Sequence, residues 1–363
     1  MMQPVCSRRG ARLLLCLIVA VMLTPACAFP RSTPPTLKIG MIAPFEGLYR
    51  PQGYAALYAV KLAIRERNRA GGVVGYGIEL VALNDDGEPT AAALQARKLA
   101  VDADVVGVVG PLTRATAEAA AGPLAEAGLA WVAPASVPDH VVRDQANAFR
   151  LFAADADLAP ALVGWAARQG SADLLLAIPE MGSFSAALNA AATAARIPVT
   201  TTVPVEGQAA VLLLGGDAAE AATILQGAQA FLKGGSIGGG PEAAGEAFWQ
   251  RMRPFGVEMV WATSLRPRVW PSSLAQGYAE LAGSELGPAA ALAYDATQVL
   301  LDAVAQDIVA HGKPGRAGVA AALARVERDG LNGLIAFDAA GSWRGAPVEL
   351  YRAVDGRLWE PTR

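Results

Sequence analysis

"VVGVVGPLTRATAEAA", Val105 to Ala120, is the stretch from which the rest of the chain can be read. Its opening, four valines around one glycine, reads as a strand buried on both faces, as in a parallel sheet. The Ala-rich "RATAEAA" that follows reads as a helix. Gly110 and Pro111 mark the turn between them. Thr113 stands where an N-cap belongs, and Arg114 opens the helix. Such a turn points free backbone N–H groups and the positive end of a helix outward. Arg114 adds a planar, always-charged fork suited to a carboxylate. Thr113 and Arg114 therefore read as the anion half of a ligand site, although an Arg can also snorkel to solvent at a helix start.

The alternation continues on both sides. Before the stretch come the strand "LKIGMIA", the helix "YAALYAVKLAIRERNRAGG", the strand "GIELVALNDD" and the helix "TAAALQARKLAVD"; after it comes the strand "LAWVAPAS". In the first helix Leu57, Val60 and Ile64 share one face while Lys61, Arg65 and Arg69 share another. A second set runs through "SADLLLAIPE", "SAALNAAATAAR", "IPVTTTVPV", "AAVLLLGG", "AAEAATILQGAQAFL" and "GVEMVWATS". Two long helices follow, "AAALAYDATQVLLDAVAQDIVAHG" and "AGVAAALARVERDG", then a Gly-punctuated tail that reads as hairpins. The expected fold class is α/β: two units in series, each a parallel-type sheet flanked by helices. Ligands bind such sheets beyond the carboxyl ends of the strands, so two facing lobes make a cleft. One connection is unusual. Only Glu206, Gly207 and Gln208 separate "TTTVPV" from "AAVLLLGG", whereas parallel neighbours need about a dozen residues of crossover. Either a helix is missing there or the two strands form an antiparallel hairpin.

The chain has 363 residues, 53% hydrophobic and 17% charged, with a net charge of −3, which gives no sign of a nucleic-acid surface. Arg8, Arg9 and Arg12 precede the apolar "LLLCLIVAVML", the layout of a secretory signal. Past it no breaker-free apolar stretch is long enough to span a membrane. Two cleavages fit: "LTPAC" resembles a lipobox that would leave Cys27 lipidated, and "ACA" fits an ordinary A-x-A site. Residues 1–27 are thus the signal or lipoprotein segment and 28–36 a Pro-rich tether. The expected location is the periplasm or the outer face of the cytoplasmic membrane, held by a lipid anchor. All three cysteines lie in this segment, so the body carries neither disulfide nor thiol nucleophile.

From Leu37 to Arg363 the chain resembles the periplasmic binding proteins of branched-chain amino-acid ABC transporters. The order and spacing of "IGMIAPFEG", "VVGVVGPLTRATAEAA", "GLAWVAPASVPD", "ALAYDATQVL" and "LNGLIAFDAAGSWRG" carry the resemblance. It implies a two-lobed type I fold with a hinge of three crossovers: 37–150 plus 265–329 as lobe one, 151–264 plus 330–363 as lobe two. It implies hinge closure on a small solute, and permease subunits in separate chains as partners. It also implies ligand contacts at Leu112, Thr113 and Arg114 in one turn and at Ala135 and Ser136 in the next. Glu242 in "GGPE" would pair with a ligand ammonium, and Phe184 in "GSFSA" would cover the ligand. Gln52 and Asp217 stand where the family commonly has aromatics, and Arg114 where it has a small hydroxyl. That polarity argues against leucine, isoleucine or valine. It favours a polar zwitterion or a cationic or amide-bearing molecule, a small amino-acid-like or amide solute. The bland readings are that Asp217 is an N-cap, Glu242 a solvated acid and Phe184 a core residue.

An enzyme is not expected. "GGSIG" matches a nucleophile-elbow pattern but follows a helix rather than a strand. His140 and His311, the two histidines, have no nucleophile-and-carboxylate set around them, and no cofactor or metal site is expected. The closing "WEPTR" carries no span, as expected of a stand-alone carrier. A ligand sensor of the same fold, or a degenerate relative acting through protein contacts, is the alternative.

Overall fold

The computed structural model describes residues 34–169, 175–180, 182–206, 210–354 and 360–361. The expected signal segment, the lipobox Cys27 and most of the tether lie outside the described residues. Lobe one is built on β1 (Thr36–Ala43), β2 (Gly77–Asn84), β3 (Val105–Val109), β4 (Ala130–Ala133) and β5 (Ala148–Arg150). They lie in the order β2-β1-β3-β4-β5, parallel throughout. Helices α1 (Arg50–Arg69), α2 (Pro89–Val101), α3 (Arg114–Glu126) and the short α4 (Asp139–Arg143) connect them. The all-valine frame of β3 is buried at every position, as two-sided helix cover requires.

Lobe two begins with α5 (Asp155–Gln169). Its parallel strands are β6 (Leu175–Ala177), β7 (Val199–Thr200), β8 (Ala210–Leu214), β9 (Ser236–Gly239) and β10 (Glu258–Thr263). Its further helices are α6 (Phe184–Ala194), α7 (Ala218–Gly227) and α8 (Glu246–Met252). The chain then returns to lobe one as α9 (Ser272–Ala282), α10 (Pro288–His311) and α11 (Arg316–Leu323); α10 packs along α1 and against β3. The hairpin β11 (Glu327–Gly330) and β12 (Gly333–Ala336) follows. Finally β13 (Glu349–Val354) adds antiparallel to β10, and β14 (Glu360–Pro361) adds antiparallel to β13.

Two expectations change. The helix expected through Gly330 ends at Leu323, and the lobe boundary expected at 329/330 falls inside the β11–β12 hairpin. Tertiary partners override local helix preference there: Arg328 pairs with Asp302 of α10, and the N–H groups of Leu331 and Asn332 donate to the Asp295 carboxylate at 2.9 and 3.1 Å. The open question at 206–208 is also resolved. β7 and β8 lie on opposite flanks of β6, both parallel to it, so they are not a hairpin. Among the described residues of the connection, 201–206, there is no helix.

The chain crosses between the lobes at 151–154, 264–271 and 337–348. Ser264, 1% exposed, ties the three crossings together. The Ala153 N–H donates to its Oγ at 2.7 Å, and its hydroxyl donates to the Pro347 carbonyl at 2.7 Å.

Candidate functional site

The turn after β3 is shaped by Gly110, whose φ of +93° suits glycine, and where a Cβ would stand 2.3 Å from the Ile42 carbonyl oxygen. Thr113 caps α3 in a reciprocal pair with Thr116: each backbone N–H donates to the other's hydroxyl at 3.3 Å. Thr113 is buried in this role and does not line the cleft cavity.

Arg114 is 7% exposed and reaches across the lobe boundary. Its Nη1 donates to Ser136 Oγ at 2.7 Å and to Asp155 Oδ1 at 2.8 Å. Its Nη2 donates to Asp155 Oδ2 at 2.7 Å and to Ser183 Oγ at 2.7 Å, and Nε donates to Ser183 Oγ at 3.2 Å. A guanidinium has five N–H donors, and all are taken. The carboxylate that the fork holds is thus Asp155 at the start of α5, not a ligand's, which corrects the reading of Arg114 as a ligand contact. Both partners are nearly fully buried, and in that setting an unpaired charge is costly.

Phe184 is likewise corrected. It is wholly buried at the start of α6, beneath the Arg114 guanidinium carbon at 5.9 Å from the ring centroid, and does not line the cavity. Asp217 accepts from the N–H groups of Ala219 and Glu220 at 2.8 and 2.9 Å, so it is the N-cap of α7 and also stands back from the cavity.

Gln52, Leu112, Ala135, Ser136 and Glu242 do come together, around a cavity of about 530 Å³ between the lobes. Gln52 Nε2 donates to the Leu112 carbonyl at 3.0 Å, which holds the amide against the β3 turn. Glu242 enters from the 3₁₀ turn Pro241–Ala244 after β9. Burial lifts its carboxyl to about 7; the Arg114 charge and backbone N–H pull it down, and the Asp217 and Asp155 charges push it up. The Tyr49 hydroxyl, buried beside Glu242 and Asp217, is held above its ordinary range.

Sequence reasoning missed Asp155, Ser183 and the ring-bearing lining of Tyr49, Phe152, Phe248, Trp249 and Tyr278. Asp155 was legible as an acid opening a helix, but nothing local shows which cation it meets. The polar tips of Trp249 and Tyr278 donate to the carbonyls of Ala243 at 2.7 Å and Ala55 at 3.1 Å. Among the described residues no group of His, Cys, Asp and Glu is placed to hold a metal, and no helix is long and apolar enough to cross a membrane.

Residues 36–265 match the family model described as "Periplasmic binding protein". A Leu/Ile/Val-binding protein of Rhizobium johnstonii is 33% identical over 129 residues, 35% of each chain. The chain covers about a third to a half of the length of the curated relatives it matches. Its fold is shared with a leucine-binding protein of Thermotoga maritima at TM-score 0.75 and 21% identity, covering 90% of this chain and 98% of that one. A solute-binding protein of an ABC transporter from R. palustris, in complex with benzoate, aligns at TM-score 0.65 and 17% identity over 88% and 93% of the two chains.

Proposed function

This chain belongs to the periplasmic binding protein family, and we propose that it is the extracytoplasmic solute-binding protein of an ABC importer, capturing a small amino-acid-like or amide solute between its lobes. The observation that carries the reading is the cavity at the carboxyl ends of both sheets, walled by Leu112 and Ser136 from one lobe and Glu242 and Phe248 from the other. Each lobe holds part of the site, so a solute bridging both walls favours the closed arrangement over the open one. The three crossings gathered on Ser264 form a compact hinge for that motion. The relatives named above, which bind leucine-type amino acids or benzoate, support a carrier rather than a catalyst.

The permease and ATPase are separate chains in this reading. The basic and apolar head supports export, and Cys27 is the residue that would carry a lipid anchor. Intact mass of the membrane fraction tests the anchor: acyl additions on an N-terminal Cys27 support it, and an unmodified terminus rejects it. A thermal-shift screen of the mature body against amino acids, amines, amides and small carboxylates tests the carrier reading. A solute at about a hundred times its Kd adds roughly 2.7 kcal/mol of stability. A folded protein that no class of solute stabilises overturns the reading.

A further inference from the structure

Arg114 opens α3 in lobe one, yet lobe two supplies most of what surrounds its guanidinium: Asp155 at the start of α5, Ser183 in the turn after β6 and Phe184 at the start of α6. Ser136 is its partner from lobe one. These contacts respond differently to a parting of the lobes. Asp155 stands beside the hinge. Its N–H donates to Asp139 of α4, in lobe one, at 2.9 Å, and the N–H of Ala156 donates to the same carboxylate at 3.1 Å. Arg150, on the last strand of lobe one, holds Asp139 at 2.6 Å. Asp155 is thus tied to lobe one and can keep the fork filled as the cleft opens, and Ser136 moves with Arg114. Ser183 and Phe184 instead ride on β6 and α6, in the body of lobe two.

Opening the cleft therefore takes the Ser183 oxygen away from two donors, Nη2 at 2.7 Å and Nε at 3.2 Å, and the Phe184 ring away from beneath the guanidinium. A hydrogen bond from a charged donor is stronger than a neutral one, and this one is made by a nearly fully buried group. Two further contacts close the same seam. Leu48, in the loop before α1, packs against the lobe-two cluster that contains Phe248 and Trp249. The backbone N–H of Arg114, the first of α3, faces the Glu242 carboxyl, an acid at the positive end of a helix. All of these partners belong to the chain, so closure through them needs no solute as a bridge.

We infer that Arg114 and Ser183 form a latch that holds the lobes closed through the chain's own contacts, so that the closed arrangement is populated before a solute enters and admission waits on the latch. The inference rests on the hinge closure of the solute-binding reading and reverses its order. The test uses the mature body, which carries no cysteine after residue 27. Thr90→Cys at the start of α2 and Gln226→Cys on α7, both exposed, place one spin label on each lobe. The protein is unfolded, dialysed and refolded to strip any solute, and label-to-label distances are read by pulsed electron spin resonance. The parent is expected to show the short distance of the closed arrangement. Ser183→Ala should add a longer one, with the open population raised roughly tenfold or more, the size of one hydrogen bond to a charged group. Ser136→Ala removes an equally short bond to the same guanidinium from within lobe one, and should leave the distance at the parent's. Melting curves confirm that each variant is folded. A stripped parent in which the longer distance predominates overturns the inference and leaves the solute-binding reading standing, since capture by closure starts from an open cleft. Ser183→Ala as closed as the parent, or Ser136→Ala opening as far as Ser183→Ala, overturns the latch. The thermal-shift screen described above decides the solute-binding reading separately.

Discussion

In lobe one the chain passes from β2 to β3 through α2, a helix of 13 residues packed beside α3; in lobe two it passes from β7 to β8 through residues 201–209. A chain of nine residues can reach at most roughly 30 Å, enough to step past β6 to the start of a short strand. The comparison shows which parts of a doubly wound lobe the site depends on. Of the lobe-two groups at this end of the sheet, Ser183 after β6 meets Arg114, Asp217 after β8 caps its helix and Glu242 after β9 lines the cavity, and none of them follows β7. β7 is a two-residue strand on the sheet's edge, so the simplification sits on the flank away from the site. Lobe one keeps its full set of helices and supplies a wall fixed by Thr113, Arg114 and Gln52. Lobe two supplies the acids that engage it.

The sharpest way to break this division is to remove lobe two's acid. Asp155→Ala leaves Arg114 buried and unpaired and is expected to lower stability by about 3–5 kcal/mol in chemical denaturation. Adding Arg114→Met should recover part of that loss. A loss under about 1 kcal/mol would mean that the two lobes are not joined through this pair.

Glu242 sharpens the comparison from the other side. Its folded-state carboxyl titrates near 7 against an ordinary 4.5. The folded protein therefore holds this proton longer than the unfolded chain. Stability is highest with Glu242 protonated, falls as pH rises from about 4.5 to 7, and is level above that. Glu242→Gln should be more stable than the parent at pH 8, by up to about 3 kcal/mol, with no difference near pH 4. Asp85, buried and lifted to about 6, adds a fall of its own, so the difference between parent and variant at each pH is the quantity to follow. A pH-independent difference would place the Glu242 carboxyl in water.

Two smaller effects separate hinge from lobe. Ser264→Ala leaves the Ala153 N–H without its acceptor and the Pro347 carbonyl without its donor, and should cost about 1–3 kcal/mol. If the hinge reading holds, solute affinity changes with it; stability loss with affinity untouched would reduce Ser264 to a local tie. Asp217→Ala removes the cap of α7, and should cost about 1 kcal/mol in thermal unfolding.

The alternation of apolar strands with amphipathic helices was legible from composition and period alone, because burial on two faces leaves a continuous apolar run such as Val105–Val109. The Thr113 cap and the Asp217 cap were legible too, since a cap and the N–H it accepts lie within three residues. The short connection between β7 and β8 showed as a shortage of residues, but the partners of the two strands did not, because pairing with β6 is a long-range choice. The role of Arg114 was the largest miss. Its residue type and helix-start position suited a ligand carboxylate, and the chain itself supplies one, Asp155, 41 positions away. Local rules can say that a guanidinium needs an anion; which anion fills the fork depends on how the two lobes are set against each other.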